Sequence, residues 1–426
     1  ITMGTGSILV SGFALFAMFF GAGNLIFPPY LGMTGGSQWI AGFLSFFLVE
    51  ILSCVGIHAM LHGGGSIRAM QKSVGAAPGA VLNTAAILCT GVFIAPPRTA
   101  ATTYEMAIQP LTDKLDLLPF SILFFAVVLL LTIRPTRVVD IVGRCLTPVL
   151  ILGILVLILA GILHPIGPIE PPVSPNIVQD GLLAGYQAMD IISVAGFAVI
   201  IQDTLAQSGL STWPQQRRHV AGTACVAGIL LALVYSGLTY LGATAGVFLD
   251  RGLDQAGLIV AITHQLLGRF GVIFLAIVVG FACLTTSIGL FGATASYFQR
   301  ITHGRLSYRV NIVILSVIGC AICNLGLSTI IEAASPILSV ICPPFMTTVV
   351  LLFFQDYIHR AGLYKGAALG ATAASLLLAL HSYFKLFPLA EYLPFYDYGF
   401  GWLIPAIAGG VLGWLLSKPD SASAEP

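Results

Sequence analysis

The stretch Phe13-Ala-Leu-Phe-Ala-Met-Phe-Phe-Gly21-Ala-Gly-Asn24-Leu-Ile-Phe-Pro-Pro29-Tyr-Leu-Gly32 decides the fold. It is apolar enough to lie in a bilayer, yet Gly21, Gly23 and Asn24 interrupt it, and Pro28 and Pro29 follow. Glycine costs a helix about 1 kcal/mol and proline about 3 kcal/mol. A spanning helix avoids that combination, because backbone groups released in lipid find no water to bond. Irregular backbone at membrane depth persists only where it lines a cavity or is buried in protein. The spacing therefore predicts a helix broken around 21–24. The break leaves N–H groups on one half-helix and C=O groups on the other, ends that hold an anion and a cation respectively. A kinked, tightly packed helix with small residues at a crossing is the other reading of this stretch.

The rest of the chain supplies the setting. Hydrophobic residues make up 57% and charged residues only 8%, with a mean hydropathy of +0.97. These values describe a polytopic membrane protein. The formal net charge of +1, without a basic tract or acidic tail, gives no reason to expect a nucleic-acid partner. The eight cysteines are scattered through apolar runs; Cys320 and Cys323 form a lone CxxC with no second pair, so zinc is not expected. No cleavable leader is visible, and the first span is expected to serve as the insertion signal.

About twelve spans can be drawn, near 7–32, 38–62, 79–108, 118–133, 138–163, 180–202, 218–248, 270–299, 309–326, 330–355, 366–385 and 398–416. With the N-terminus in the cytoplasm, thirteen Lys and Arg fall inside and four outside, and Arg98 lies within a span. This positive-inside bias predicts that both termini are cytoplasmic. The Pro-rich loop 164–179 then lies outside, as a linker between two five-helix units, 1–163 and 180–355. Residues 356–426 add two spans and a tail. An odd number of spans per unit inverts the second unit. Span 6, like span 1, carries glycines and a polar group at depth, in Gly185-Tyr-Gln-Ala-Met-Asp190-Ile-Ile-Ser193-Val-Ala-Gly196-Phe197. Asp190 costs a few kcal/mol there without a partner or a cavity. Paired interruptions in corresponding spans point to a transporter's binding site.

Other polar groups invite roles. In span 8, Ala282 and Thr285 share a helix face and Thr286 lies beside them. One carbonyl and two hydroxyls form a neutral, hard oxygen set that suits sodium better than a divalent ion; the alternative is that the hydroxyls bond back to their own helix. Arg98 is read as an outer gate or an ion-pair partner for Glu105 or Asp190, against snorkelling to the interface. Glu50 and Glu332 could each relay a proton. His58 and His62 are read as a wetted interface rather than a metal pair. Tyr30, Trp39, Tyr398 and Trp402 fit an aromatic belt. A channel needs a repeated pore loop or charged ring, and a membrane enzyme needs clustered acids or histidines; neither is visible, so no enzyme activity is expected.

The segment Phe20-Gly-Ala-Gly-Asn24-Leu-Ile-Phe27-Pro28-Pro29 resembles the first-span signature of the bacterial branched-chain amino acid:cation symporters, the BrnQ or LIVCS type. Pro97-Arg98-Thr99-Ala100, Met189-Asp190, Ala282-Cys-Leu-Thr285, Ser307-Tyr308-Arg309, Asn324-Leu-Gly-Leu-Ser328 and Cys342-Pro343-Pro344 resemble the family in the same order and cover spans 1 to 10. Glu332 departs from it, where a neutral residue is expected. The resemblance implies an all-α LeuT-type fold, a 5+5 inverted repeat plus two C-terminal helices, in a bacterial cytoplasmic (inner) membrane. It implies uptake of L-leucine, L-isoleucine and L-valine with a cation, usually sodium. The other reading is a proton-coupled or exchange-type transporter of other small neutral amino acids. The substrate carboxylate would meet N–H groups around Gly21, Ala22, Gly23, Asn24 and Leu25. The ammonium would meet carbonyls near Asp190, Ile191, Ser193 and Val194, with Gly196 and Phe197 beyond, or carbonyls ending the inner half of span 1. Alignment with the LeuT-type sodium site makes the ligands the carbonyls of Ala17, Phe20 and Ala282 and the hydroxyls of Thr285 and Thr286.

Overall fold

The computed structural model describes residues 5–63, 74–133, 137–207 and 212–417. The described residues are helical, with no β-strand among them. In chain order the α-helices are α1 (Thr5–Phe19), α2 (Ala22–Gly35), α3 (Trp39–His62), α4 (Ala76–Leu88), α5 (Ala95–Thr103), α6 (Leu117–Ile133), α7 (Arg137–Leu163) and α8 (Ile177–Ala188). They continue as α9 (Asp190–Gln207), α10 (Trp213–Ala243), α11 (Gln255–Ile301), α12 (Tyr308–Cys323), α13 (Leu327–Phe353), α14 (Ala361–Phe384) and α15 (Leu403–Leu416). Two π-helical turns, Cys89–Phe93 and Tyr104–Ile108, flank α5, so span 3 runs from Ala76 to Ile108 without a gap of more than one residue. Among the described residues, seven apolar runs are long enough to cross a bilayer, and five shorter apolar helices accompany them. The first run, Ala22–His62, joins α2 and α3; assigning α2 to one broken crossing with α1 and leaving α3 as its own keeps the number at twelve.

Both spans that the sequence singles out are interrupted. Span 1 breaks between Phe19 and Ala22, and span 6 breaks at Met189, the single residue between α8 and α9. Span 8 differs from its expected start near 270. Its helix begins at Gln255, where Asp254 caps the Gly257 N–H at 2.7 Å, and it kinks at Gly268 with φ 65°. With ψ −164°, that backbone suits glycine alone.

Helix α10 packs along α1, α2 and α3, which places the break of span 1 in the middle of the protein. Close approach there depends on glycine. A Cβ on Gly32 would lie 1.9 Å from the Thr239 carbonyl oxygen, and one on Gly242 would lie 1.8 Å from that of Pro29. Lipid tails are as apolar as leucine, so such backbone contact is what holds membrane helices together. The last two helices cross the same way, with Gly366 against Gly409 and Gly362 against Gly413. Prolines inside α13 release carbonyls one turn earlier. Ser375 of α14 donates to one of them, Val340, at 3.0 Å, fastening the last helix pair to the bundle.

The Gly32 contact is directly testable. Gly32→Ala is expected to cost about 1–3 kcal/mol by overpacking, seen as a fall of several degrees in the detergent unfolding midpoint. Gly289→Ala, whose Cβ meets nothing within 4 Å, should leave the midpoint unchanged or slightly raised.

Candidate substrate and ion site

Backbone geometry builds the site first. At the end of α1 the Phe20 N–H still bonds the Phe16 carbonyl at 2.7 Å, but the Gly21 N–H turns to Phe19 at 2.8 Å. Among the described residues, no backbone N–H then reaches the carbonyls of Ala17 or Phe20. Gly21 is extended (φ −101°, ψ −172°) and supplies no side-chain cap, so the first N–H groups of α2 stay open. Pro28 and Pro29 lack N–H groups and release the carbonyls of Asn24 and Leu25 in turn. In span 6, Met189 takes φ 66°, uncommon for a residue with a side chain, and its N–H closes on Tyr186 at 3.1 Å. Helix α9 starts at Asp190, whose carboxylate complements the positive helix end.

One side chain joins the two breaks. The Asn24 amide nitrogen lies 2.6 Å from the Phe19 carbonyl, 2.7 Å from Asp190 Oδ2 and 2.6 Å from the Tyr235 hydroxyl. Asn24, Asp190 and Tyr235 are 1%, 5% and 0% exposed. Glu50, also fully buried, faces Asp190 and Tyr235, and neither of its oxygens makes a well-formed hydrogen bond. Arg98 of α5 closes the cluster. Its Nη1 donates to the Gln187 carbonyl at the end of α8, and its guanidinium lies 5.7 Å over the Phe27 ring. The Gln187 side chain donates to the Ile331 carbonyl at 3.0 Å.

The expected site residues distribute around this junction. Gly23 adjoins Arg98: a Cβ there would lie 2.9 Å from Nη2. Ala22 and Leu25 are buried in the first turn of α2. Ile191 and Val194 are fully buried, and Val194 packs against Gly56 of α3. The Ser193 hydroxyl bonds the Met189 carbonyl at 2.9 Å. Phe197 sets its ring edge-on to Phe19 at 5.4 Å, and Phe20 stacks on Tyr235 at 6.0 Å. A Cβ on Gly21 would meet nothing within 4 Å, so open space adjoins the first break, whereas Gly196 lies exposed about two turns beyond Met189. In span 8 the Thr285 hydroxyl turns to its own helix, 3.0 Å from the Ala282 carbonyl and 3.1 Å from that of Phe281. Thr286 is half-buried beside it. No hydrogen bond among the described residues links this pair to the end of α1. Thr99 and Ser287, 2.6 Å apart, fasten α5 to α11.

Several polar residues fall elsewhere. Glu105 faces Asp254 and the Leu327 backbone rather than Arg98, and Glu332 is exposed. His62 meets Asp356 at 3.2 Å and stacks on Trp213, which His58 also touches. Trp402 leaves the expected belt: it is buried and donates to the Tyr186 hydroxyl at 3.2 Å. Sequence reasoning missed Tyr235, Gln187 and the Glu50–Asp190 contact. Tyr235 leaves only the trace of a hydroxyl-bearing ring inside an apolar run, and Gln187 that of an amide two residues before the break. A cavity of about 450 Å³ between α3, α13, α14 and α15 has a wholly apolar lining, including Leu48, Met346, Trp402 and Ile407. Charged groups would find no partner in it.

Similarity to known proteins agrees with this architecture. Residues 5–419 match the family model described as branched-chain amino acid transport protein. The branched-chain amino acid permease BrnQ of Bacillus subtilis (strain 168) is 33% identical, over 96% of this chain and 96% of its own. The branched-chain amino acid transport system 3 carrier protein of Pseudomonas aeruginosa is 32% identical over 98% of each. Among solved structures, Mhp1 in an inward-facing conformation aligns with a TM-score of 0.66 at 13% identity, over 96% of this chain and 90% of that one. An outward-open, Na+-coupled sialic acid symporter aligns at 0.64 and 14%, over 97% and 91%. The fold is thus the LeuT-like one that the two broken spans foretell, and the chain belongs to the branched-chain amino acid transport protein family.

Proposed function

We propose that the chain carries leucine, isoleucine and valine into a bacterial cell by symport with sodium, through alternating access. The observation that carries the reading is the Asn24 bridge, which holds an open N–H end and an open C=O end at one buried point. An α-amino acid has the complementary pair of charges. Its carboxylate is received by the N–H groups from Ala22 to Leu25, and its ammonium by the Asp190 side of span 6. The tail lies against Phe19, Phe197 and the apolar faces of spans 3, 6 and 8. The names of the relatives support the substrate class.

Sodium is assigned to the carbonyls of Ala17, Phe20 and Ala282 and the hydroxyls of Thr285 and Thr286. The free carbonyls of Ala17 and Phe20 support this set, as does a sodium-coupled structural neighbour. Occupation requires the Thr285 hydroxyl to swing from its own helix toward the end of α1. A proton-coupled cycle is the second reading, favoured by the contact of two buried acids, Glu50 and Asp190. The protein is placed in the cytoplasmic membrane with both termini inside. Residues 1–163 and 180–355 are assigned as the inverted repeats, 164–179 as the outer linker and 356–426 as the added helices and tail.

Leucine uptake into proteoliposomes decides the ion. An inward sodium gradient at clamped pH should drive accumulation, and a proton gradient without sodium should not; the reverse result selects the second reading. Thr285→Val should raise the sodium concentration for half-maximal uptake about tenfold, a loss of about 1.4 kcal/mol. Leucine affinity should weaken with it, since coupling is reciprocal. Unchanged sodium dependence removes Thr285 from the ion site.

Counterflow with a panel of competitors tests the substrate class. Leucine, isoleucine and valine should displace one another, with each methylene worth only about 1–3 kcal/mol. Their decarboxylated amines, glycine, lysine and glutamate should compete poorly. Lysine or glutamate competing as well as valine would contradict an apolar tail pocket.

A further inference from the structure

We propose that Arg98 is the anchor of the substrate's α-carboxylate, paired across the junction with Asp190, which faces the α-ammonium. The inference rests on the amino acid reading above and adds a charged side chain to a site otherwise made of helix ends.

Arg98 is 4% exposed, and no described acid lies within ion-pair distance of it. Its Nη1 bonds the Gln187 carbonyl and its face rests on Phe27. Its Nε finds no acceptor among the described residues, and Nη2 lies against Gly23. A buried guanidinium without an anion is costly, and the open Nε–Nη2 edge is the fork that binds a carboxylate in two bonds.

Its position sharpens the point. Nη2 abuts Gly23, in the first turn of α2. A cation against the positive end of a helix is unfavourable by itself. An anion between them satisfies both, because the open N–H groups of α2 and the open edge of Arg98 then bind the same group. Glycine at 23 is what lets the guanidinium come this close.

The opposite charge stands nearby. Asp190 interacts electrostatically with Arg98 yet forms no ion pair with it. It accepts from Asn24, and Glu50 lies beside it against Tyr235, with neither oxygen in a well-formed hydrogen bond. Donor-poor carboxyls on one side and an acceptor-poor guanidinium on the other match a zwitterion.

The test compares leucine with leucinamide, which keeps the tail and the ammonium but has no carboxylate. Inhibition constants of both are measured against labelled leucine in proteoliposomes. The wild-type protein should prefer leucine by about a hundredfold or more. In Arg98→Gln the leucine constant should weaken by ten- to a hundredfold while the leucinamide constant moves less than twofold, so their ratio collapses. Arg98→Lys should restore part of the ratio. Gly23→Ala, which displaces the flexible end of Arg98 and presses on the Phe27 ring beneath it, should lower the ratio too and covers the case in which Arg98→Gln fails to fold. Equal weakening of both ligands in these variants would assign Arg98 a structural role and overturn the proposal. Leucinamide competing as well as leucine in the wild-type protein would overturn it without any variant, leaving leucine transport intact. A wild-type protein that binds no leucine would instead overturn the transport reading and this inference with it.

Discussion

The bond from Asn24 to Asp190 is the constraint on which the rest of the junction depends. Breaking two membrane helices exposes backbone groups in a low-dielectric interior, where each unpaired group is expensive. Asn24 relieves both breaks at once, taking the Phe19 carbonyl from one and the Asp190 carboxyl from the other. Its amide nitrogen has two hydrogens and lies within 2.7 Å of three oxygens, so one contact is always without a hydrogen. The Tyr235 hydroxyl, which can also donate, is the natural one to turn away. The link can therefore exchange partners at low cost.

Around this bond the bundle is arranged to be rigid elsewhere. Glycine contacts fix α2 on α10 and α14 on α15, and hydroxyl pairs fix α5 on α11. Among the described residues, four of the ten buried polar atoms without a partner lie at the junction: both oxygens of Glu50, Arg98 Nε and Gln187 Oε1. Buried polar atoms are normally bonded, and these four face two open helix ends, where a ligand can supply the missing bonds. A bound amino acid that completes these bonds in one arrangement of the helices, and less well in another, shifts the balance between them.

Much of the fold was legible because its signals are local. Gly21, Gly23, Pro28 and Pro29 announce the first break, and Asp190 at membrane depth announces the second. What the sequence hides is carried by groups without a side-chain signature or by partners far apart. The free carbonyls of Ala17 and Phe20 leave no trace in residue types. The bond from Arg98 to Gln187 joins residues 89 positions apart and ends on a backbone oxygen, so the sequence offered Glu105 and Asp190 as partners instead. Trp402 looks like a belt residue by its place near a span end, but the fold turns its N–H inward to Tyr186.

A structure determined with leucine and sodium present tests the central claim most directly. Leucine should lie between the break of span 1 and the break of span 6, within hydrogen-bond reach of the α2 N-terminus and beside Asp190. Leucine found elsewhere, such as in the apolar cavity between α3 and the last two helices, with the Asn24 junction empty, would contradict the account.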